Sequence, residues 1–327
     1  MKHRSLLFNA LRVSLIVVAT VLTTSSYSQP STAPITVLVG FPPGGNVDAI
    51  ARRLADSMQV ALNRPVIVEN KVGAGGQIAT QTLVRAVADG TTLLLSNEHA
   101  ISIVPLTKKN PGYDVPKDIL PLATVATLPI ALAVHPSIKV STLGDLRTWA
   151  RAKRDSINVG VPAAASLPDF AVGIIGKALN LPLISVPYRG GAPLVTDLIG
   201  GHVLAGVTGV SELLPNHKSG NIHILAISGS ERSPLLPSVP TFSEAGIKGL
   251  EQPIFIGLFA PAATPSAILD RYRDALRSIT GTDDYRKALL ELGVQAVFGD
   301  AQDLKSRVEG TLQTWAPIIR DSGFIPN

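Results

Sequence analysis

The stretch VLVGFPPGGNVDAIARRLADSMQVALNRPVIVENKVGAGGQIA, residues 37–79, constrains the fold more than any other part of the chain. Ile35–Val39 is a short β-branched run, and the turn FPPGG follows it. Ile50, Leu54, Met58 and Ala61/Leu62 then recur at helical spacing. PVIVE (65–69) reads as a second strand, residues 77–88 as a second helix stopped by Asp89-Gly90, and TLLLS (92–96) as a third strand. An order βαβαβ with short connections implies a parallel sheet flanked by helices.

The pattern restarts past residue 130. IALAV (130–134) and INVGV (157–161) read as strands, separated by a helix that Ser141 or Thr142 caps. Ser166-Leu-Pro-Asp169 has the spacing of a capping box and opens another helix. LISVPY (183–188), VLAGV (203–207) and IHILAIS (222–228) continue the alternation, with helices between them. FIGLFAP (255–261) and QAVF (295–298) are strands in an otherwise helical C-terminal stretch. With no fixed-period repeat to suggest a solenoid, the 327 residues read as two α/β units plus a helical tail.

Ligands of such sheets bind outside the carboxyl ends of the strands, where FPPGG, GAGG, SNEHA, VPAAAS and VPYRGG fall. Pro42 and Pro43 stiffen the first turn, while Gly44 and Gly45 are expected to take φ > 0 and let backbone N–H groups approach a guest. Asp48 sits in the first helical turn, a favourable place for a carboxylate. His99, after the third strand, holds a cleft-type position, whereas His202, His217 and His223 sit beside Gly-rich turns or on surface-like segments and read as solvated.

Catalytic and cofactor motifs fail one by one. GAGGQIA has Ile78 at the third glycine position of the dinucleotide fingerprint, and no acid ends the next strand. There is no P-loop, no G-x-S-x-G elbow and no H-E-x-x-H. The chain has no cysteine, which excludes a disulfide framework, a thiol nucleophile and a Cys-ligated metal. The expectation is a binding protein, not an enzyme, with no cofactor and no metal.

Lys2, His3 and Arg4 precede an apolar run, VSLIVVATVL (13–22), and Ser26-Tyr27-Ser28 suits a cut before Gln29. Residues 1–28 therefore read as a secretory signal peptide, too short in its apolar part for a stable span. Its removal leaves 26 Lys+Arg against 24 Asp+Glu, a net +2 instead of +5. So small a charge gives no case for nucleic acid or a membrane surface.

FPPGGNVDAIARRLA, RPVIVENKVGAGGQIAT, ADGTTLLLSNEHA, VHPSIKVSTLGDLRTWA, VPYRGGAPLVTDLIGGHV, LAISGSERSPLLPSVPTFSEAGIKG and GLFAPAATPSAILDRY together resemble the Bug family of extracytoplasmic solute receptors. Those are the binding proteins of tripartite tricarboxylate transporters. The resemblance implies a two-lobed periplasmic-binding-protein type II fold: lobe one from residues 29–129 and 251–327, and an inserted lobe two over 130–250. It further implies a periplasmic, monomeric protein that encloses a small organic acid and delivers it to membrane transporter subunits. The alternative is a protein that presents its ligand to a membrane sensor. By resemblance Phe41, Pro43, Gly44, Gly45, Asn46, Gly76 and Gln77 face the ligand from lobe one, with His99 beside them. Ala164, Ala165, Ser166, Tyr188 and Thr208 face it from lobe two.

The chain departs from the family pattern at the ligand. Val47 stands where the family has a threonine, and Ala163–Ala165 replace a loop rich in Gly, Ser and Thr. An F-D pair is replaced near Val207-Thr208. Fewer hydroxyl donors, with Asn46 and Gln77 able to pair with an amide, predict a monocarboxylate or carboxamide with an apolar or aromatic body, in preference to citrate.

Overall fold

The computed structural model describes residues 33–153, 155–321 and 324–326; the expected signal peptide lies outside them. The strands are β1 (Ile35–Val39), β2 (Val66–Asn70), β3 (Thr92–Asn97), β4 (Ile119–Leu128), β5 (Ile130–Val134), β6 (Ile157–Val161), β7 (Leu183–Pro187), β8 (Ala205–Gly209), β9 (His223–Ile227), β10 (Ile254–Pro261) and β11 (Gln295–Gly299). They form a six-stranded sheet, β11-β4-β10-β3-β1-β2, and a five-stranded sheet, β7-β6-β8-β5-β9. These are the two α/β units that the alternation predicted, in the two-lobed fold that the resemblance implied.

Register decides where a ligand can sit. β1, β2 and β3 are parallel, and β10 runs against β3 with Ile256 opposite Asn97. β4 runs against β10 with Leu128 opposite Ile254, so β4 leaves its sheet at the edge where β3 ends. Pro129 carries the chain into β5, whose first residue, Ile130, lies opposite Gly209 at the end of β8. β6 is parallel to β7 and β8. The carboxyl ends of β1–β3 and of β6–β8 therefore both lie at the edge where the chain crosses between the sheets. That common edge is the crevice such sheets use for ligands.

The helix Asn46–Leu62 shows why the first lobe folds this way. Val47, Ile50, Ala51, Leu54, Ala55, Met58 and Leu62 are buried at helical spacing against β1 and β2. It stops at Asn63, which takes the left-handed conformation (φ 48°) and returns its N–H to the carbonyls of Gln59 and Val60. The second helix, expected to reach residue 88, ends at Arg85. One cluster of buried apolar side chains runs through both sheets, from Val37 and Leu54 to Leu132, Val159 and Phe170. The final helix, Ala301–Asp321, starts on β4, where Asp303 accepts a hydrogen bond from Thr124 (2.9 Å). Further along it brings Trp315 to 6.0 Å from the Phe170 ring of the inserted lobe.

Candidate functional site in the interlobe cleft

In lobe one the FPPGG turn is held from behind by a buried acid. Asp48, 2% exposed, accepts from the Gly44 amide (2.8 Å), from Arg52 (2.9 Å) and from the Asn70 side chain (2.8 Å). Asn70 also donates to the Phe41 carbonyl (3.0 Å), which ties the turn to the end of β2. Burial alone would raise the Asp48 pKa, but the bonds from Arg52, Gly44 and Asn70 outweigh it and hold the carboxyl below its ordinary value. Gly44 takes φ +80° as expected. Gly45 does not: it is extended, with φ −76° and ψ 169°. A side chain there is conformationally allowed, and its Cβ would lie 3.3 Å from the Pro42 carbonyl.

The amides that lobe one can offer are therefore not those of the two glycines. Gly44 gives its N–H to Asp48 and Gly45 gives its own to Pro42 (3.3 Å). No side chain caps the helix start at Gly45. The N–H groups of Asn46, Val47 and Asp48 open the helix, where no residue four positions earlier lies inside it to accept them. Beside them, the Asn46 amide nitrogen lies 3.1 Å from where a Gly209 Cβ would be. Asn46 of lobe one and the Thr208–Gly209 end of β8 thus meet at the floor of the cleft.

The GAGG turn works mainly as a junction. A Cβ on Gly40 would lie 2.4 Å from the Gly76 Cα, and one on Gly75 would lie 2.4 Å from His99 Nε2. Ala100 and the Phe41 ring both crowd the position a Gly76 Cβ would take, at 2.9 and 3.7 Å. The three turns that follow β1, β2 and β3 are thereby packed into one surface. The amides of Gly76 and Gln77 are spent on the carbonyls of Gly73 and Ala74. The Gln77 side chain, expected to pair with a ligand amide, instead donates to the Pro111 carbonyl (2.9 Å) and pins the helix to the following loop. His99 has a buried Nδ1 without a partner, and burial lowers its pKa to about 4. Its neighbour Glu98 is 2% exposed, with one carboxyl oxygen unpartnered, and burial pushes it up to about 8. Both are neutral at pH 7.

Lobe two repeats the lobe-one turn with different chemistry. After β6, Ala165 takes φ +52° and donates to Asp169 (2.7 Å), as Gly44 does to Asp48. Ser166 caps the helix Leu167–Leu179, accepting from the Asp169 amide (3.3 Å) and donating to the Ala163 carbonyl (2.7 Å). Pro168 has no N–H, so two of the first three helical amides are removed from ligand use. Ala164 is exposed at the tip of the turn, and Ala165 is half-buried. Tyr188 donates its hydroxyl to Asp197 (3.0 Å), and its ring edge lies near Gly160. Thr208, 1% exposed, donates to Glu212 in a short hydrogen bond. Glu212 has no place in the sequence reading; only the fold brings it to the cleft edge.

The structure therefore gathers Phe41–Asn46, Gly76 and His99 on one wall, and Ala164–Ser166 and Thr208 on the other. Gln77 and Tyr188 adjoin these walls with their polar groups engaged elsewhere. No group of His, Asp and Glu suited to a metal occurs among the described residues.

The chain and its fold are similar to those of known solute receptors. The family described as tripartite tricarboxylate transporter family receptor matches residues 50–324. Protein BugT of Bordetella pertussis is 31% identical over 291 residues, covering 89% of each chain. Among solved structures, a Rhodopseudomonas palustris protein, Rpa4515, determined with adipate, superposes with a TM-score of 0.85 at 27% identity, covering 91% of this chain and all of that one. The periplasmic binding protein BugD superposes at 0.80 with 29% identity, covering 90% and 99%. MatC of Rhodopseudomonas palustris, with bound malate, superposes at 0.77 with 26% identity, covering 88% and 99%.

Proposed function

Because this chain belongs to the tripartite tricarboxylate transporter family of receptors, which bind solutes and are not enzymes, we propose that it captures a small organic carboxylate and delivers it to the membrane subunits of such a transporter. The observation that carries the reading is the uncapped amino end of the helix Asn46–Leu62, placed across the cleft floor from Thr208–Gly209. Three helix-opening amides and the positive end of the helix dipole suit a carboxylate. Adipate and malate, the ligands of two solved relatives, each carry a carboxylate that such a helix start suits. The methyl groups of the Ala163–Ala165 turn offer the cleft apolar surface, which suits an apolar or aromatic body on the ligand, while Val47 is turned into the core.

The receptor acts as a monomer in the periplasm, after removal of residues 1–28. N-terminal sequencing of the exported protein is expected to begin at Gln29; an intact Met1 on membrane-bound protein would overturn that step. Binding is tested by calorimetry with a panel of aliphatic and aromatic acids. At least one acid should bind, and Gly45→Val should abolish that binding with an unchanged circular dichroism spectrum. The extended backbone at Gly45 is one that valine adopts, with a small shift of the Pro42 carbonyl 3.3 Å from its Cβ, and its methyls would crowd the helix-opening amides. Undiminished affinity in folded Gly45→Val would place the anion elsewhere.

A further inference from the structure

Lobe two holds an acid where the ligand's far end should arrive. The helices Gly191–Ile199 and Val210–Lys218 both start at the carboxyl edge of the five-stranded sheet, after β7 and β8, and they pack against each other on one face of it. Glu212 lies in the first turn of the second helix, yet its carboxyl reaches the start of the first. A Cβ on Gly191 would lie 1.9 Å from Glu212 Oε2 and 2.3 Å from Oε1. The carboxyl group is therefore pressed against the Gly191 backbone, and the Thr208 hydroxyl holds it from the other side. Gly190, which precedes it, donates to the Pro162 carbonyl (2.8 Å), so this wall is continuous with the 162–166 turn.

We propose that Glu212 is a specificity-determining residue that occupies, with its own carboxyl group, the lobe-two position a second ligand carboxylate would need, and so restricts the receptor to ligands bearing one. Two observations independent of that contact agree. The other helix start on this wall is closed to anions, because Pro168 lacks an N–H and Ser166 takes that of Asp169. The Ser211 hydroxyl, one residue before Glu212, is buried with no partner and lies 3.4 Å from the Gly209 Cβ position, beside Asn46. A neutral hydroxyl or amide on the ligand suits that oxygen and does not crowd the Glu212 carboxyl as a second carboxylate would. Lobe one grips the anion and lobe two refuses another.

The inference rests on the carboxylate-receptor reading, and the test separates the two. Calorimetry compares matched pairs, adipate with hexanoate and malate with 2-hydroxybutyrate, on the wild type and on Glu212→Ala. Glu212→Ser, which is equally short and keeps a polar group, serves as the second variant if alanine impairs folding. The wild type should bind the monoacid of at least one pair and prefer it to the diacid. The short variants should shift the diacid-to-monoacid ratio at least tenfold toward the diacid, with monoacid affinity changed less than threefold. A wild type that prefers either diacid, or a ratio that does not move in the variants, overturns the role of Glu212 alone. Failure of these acids and of the whole aliphatic and aromatic panel to bind either protein overturns the receptor reading and this inference together.

Discussion

The Gly44 amide donates to the carboxylate of Asp48 over 2.8 Å, so the glycine that bends the turn is also fastened by the helix it leads into. The Ala165 amide and Asp169 repeat the arrangement in lobe two, over 2.7 Å. In both turns the donor is the left-handed residue just before the N-cap, and the acceptor lies four positions on. The acid consumes one amide and orients the others. The helix start at Gly45 has no side-chain cap, whereas Ser166 and Pro168 withdraw two of the first three amides of the matching lobe-two helix.

Asp48→Asn is expected to lower stability at pH 7 by about 2–4 kcal/mol, since charge-assisted bonds to a buried acceptor are weakened together. Asp48 keeps its charge below its ordinary pKa of 3.8 when folded. Its contribution is thus fully present above that pH and is lost as pH falls through the lower folded value. Urea unfolding at pH 7 and pH 3 should show a gap between wild type and variant that narrows at the acid end.

Gly44→Ala and Ala165→Gly should act in opposite directions. A Cβ on Gly44 meets nothing within 4 Å, so its cost is backbone strain alone, about 1–2 kcal/mol. Ala165 already bears that strain at φ +52°. Replacing it with glycine should gain about 0.5–1 kcal/mol after the added freedom of the unfolded chain is subtracted. Thermal melts of both variants check the pair; equal and same-signed shifts would contradict the conformational argument.

Glu98 and His99 give the protein opposed pH dependences. Folded Glu98 holds its proton up to about pH 8, whereas the unfolded chain releases it near 4.5, so stability is lost as pH rises through that window. Folded His99 stays neutral down to about pH 4 against an ordinary 6.5, so its contribution is lost as pH falls through that range. Of this pair, only Glu98 binds different numbers of protons in the folded and unfolded states above pH 6.5. Glu98→Gln should therefore remove a stability decline of up to about 1.4 kcal/mol per pH unit between pH 6.5 and 8. Denaturant midpoints across that range measure it.

Trp315→Ala should cost about 3–5 kcal/mol, because the ring is 5% exposed and packs between the lobes against Phe170. A double-mutant cycle with Phe170→Ala should return a coupling of about 0.5–1.5 kcal/mol. Additive losses would mean that the final helix does not join the lobes through this pair.

The alternation of strands and helices was legible because each element carries its own hydrophobic period, and Ile35–Val39, Ile130–Val134 and Ile157–Val161 were bounded correctly from sequence. β4 was not read as a strand. Its segment ILPLATVATL is buried on both faces and so has no period of two, and Pro121 argues against a central strand. The proline is accommodated where the register with β10 shifts between Leu258 and Phe259. The Ser166–Asp169 cap was also legible, since capping depends on residues three or four apart.

Contacts between distant segments were not legible. Composition and turn chemistry determined that this chain makes two α/β lobes with amide-rich turns at their strand ends, because those features depend on neighbours in sequence. Only the tertiary structure decided which amides are already spent, that Gln77 faces Pro111, that Trp315 reaches Phe170, and that the Glu212 carboxyl lies against Gly191. A hydrogen-bonding group does not encode its partner locally; the partner is chosen when register and helix packing bring remote backbone to within 3 Å of it.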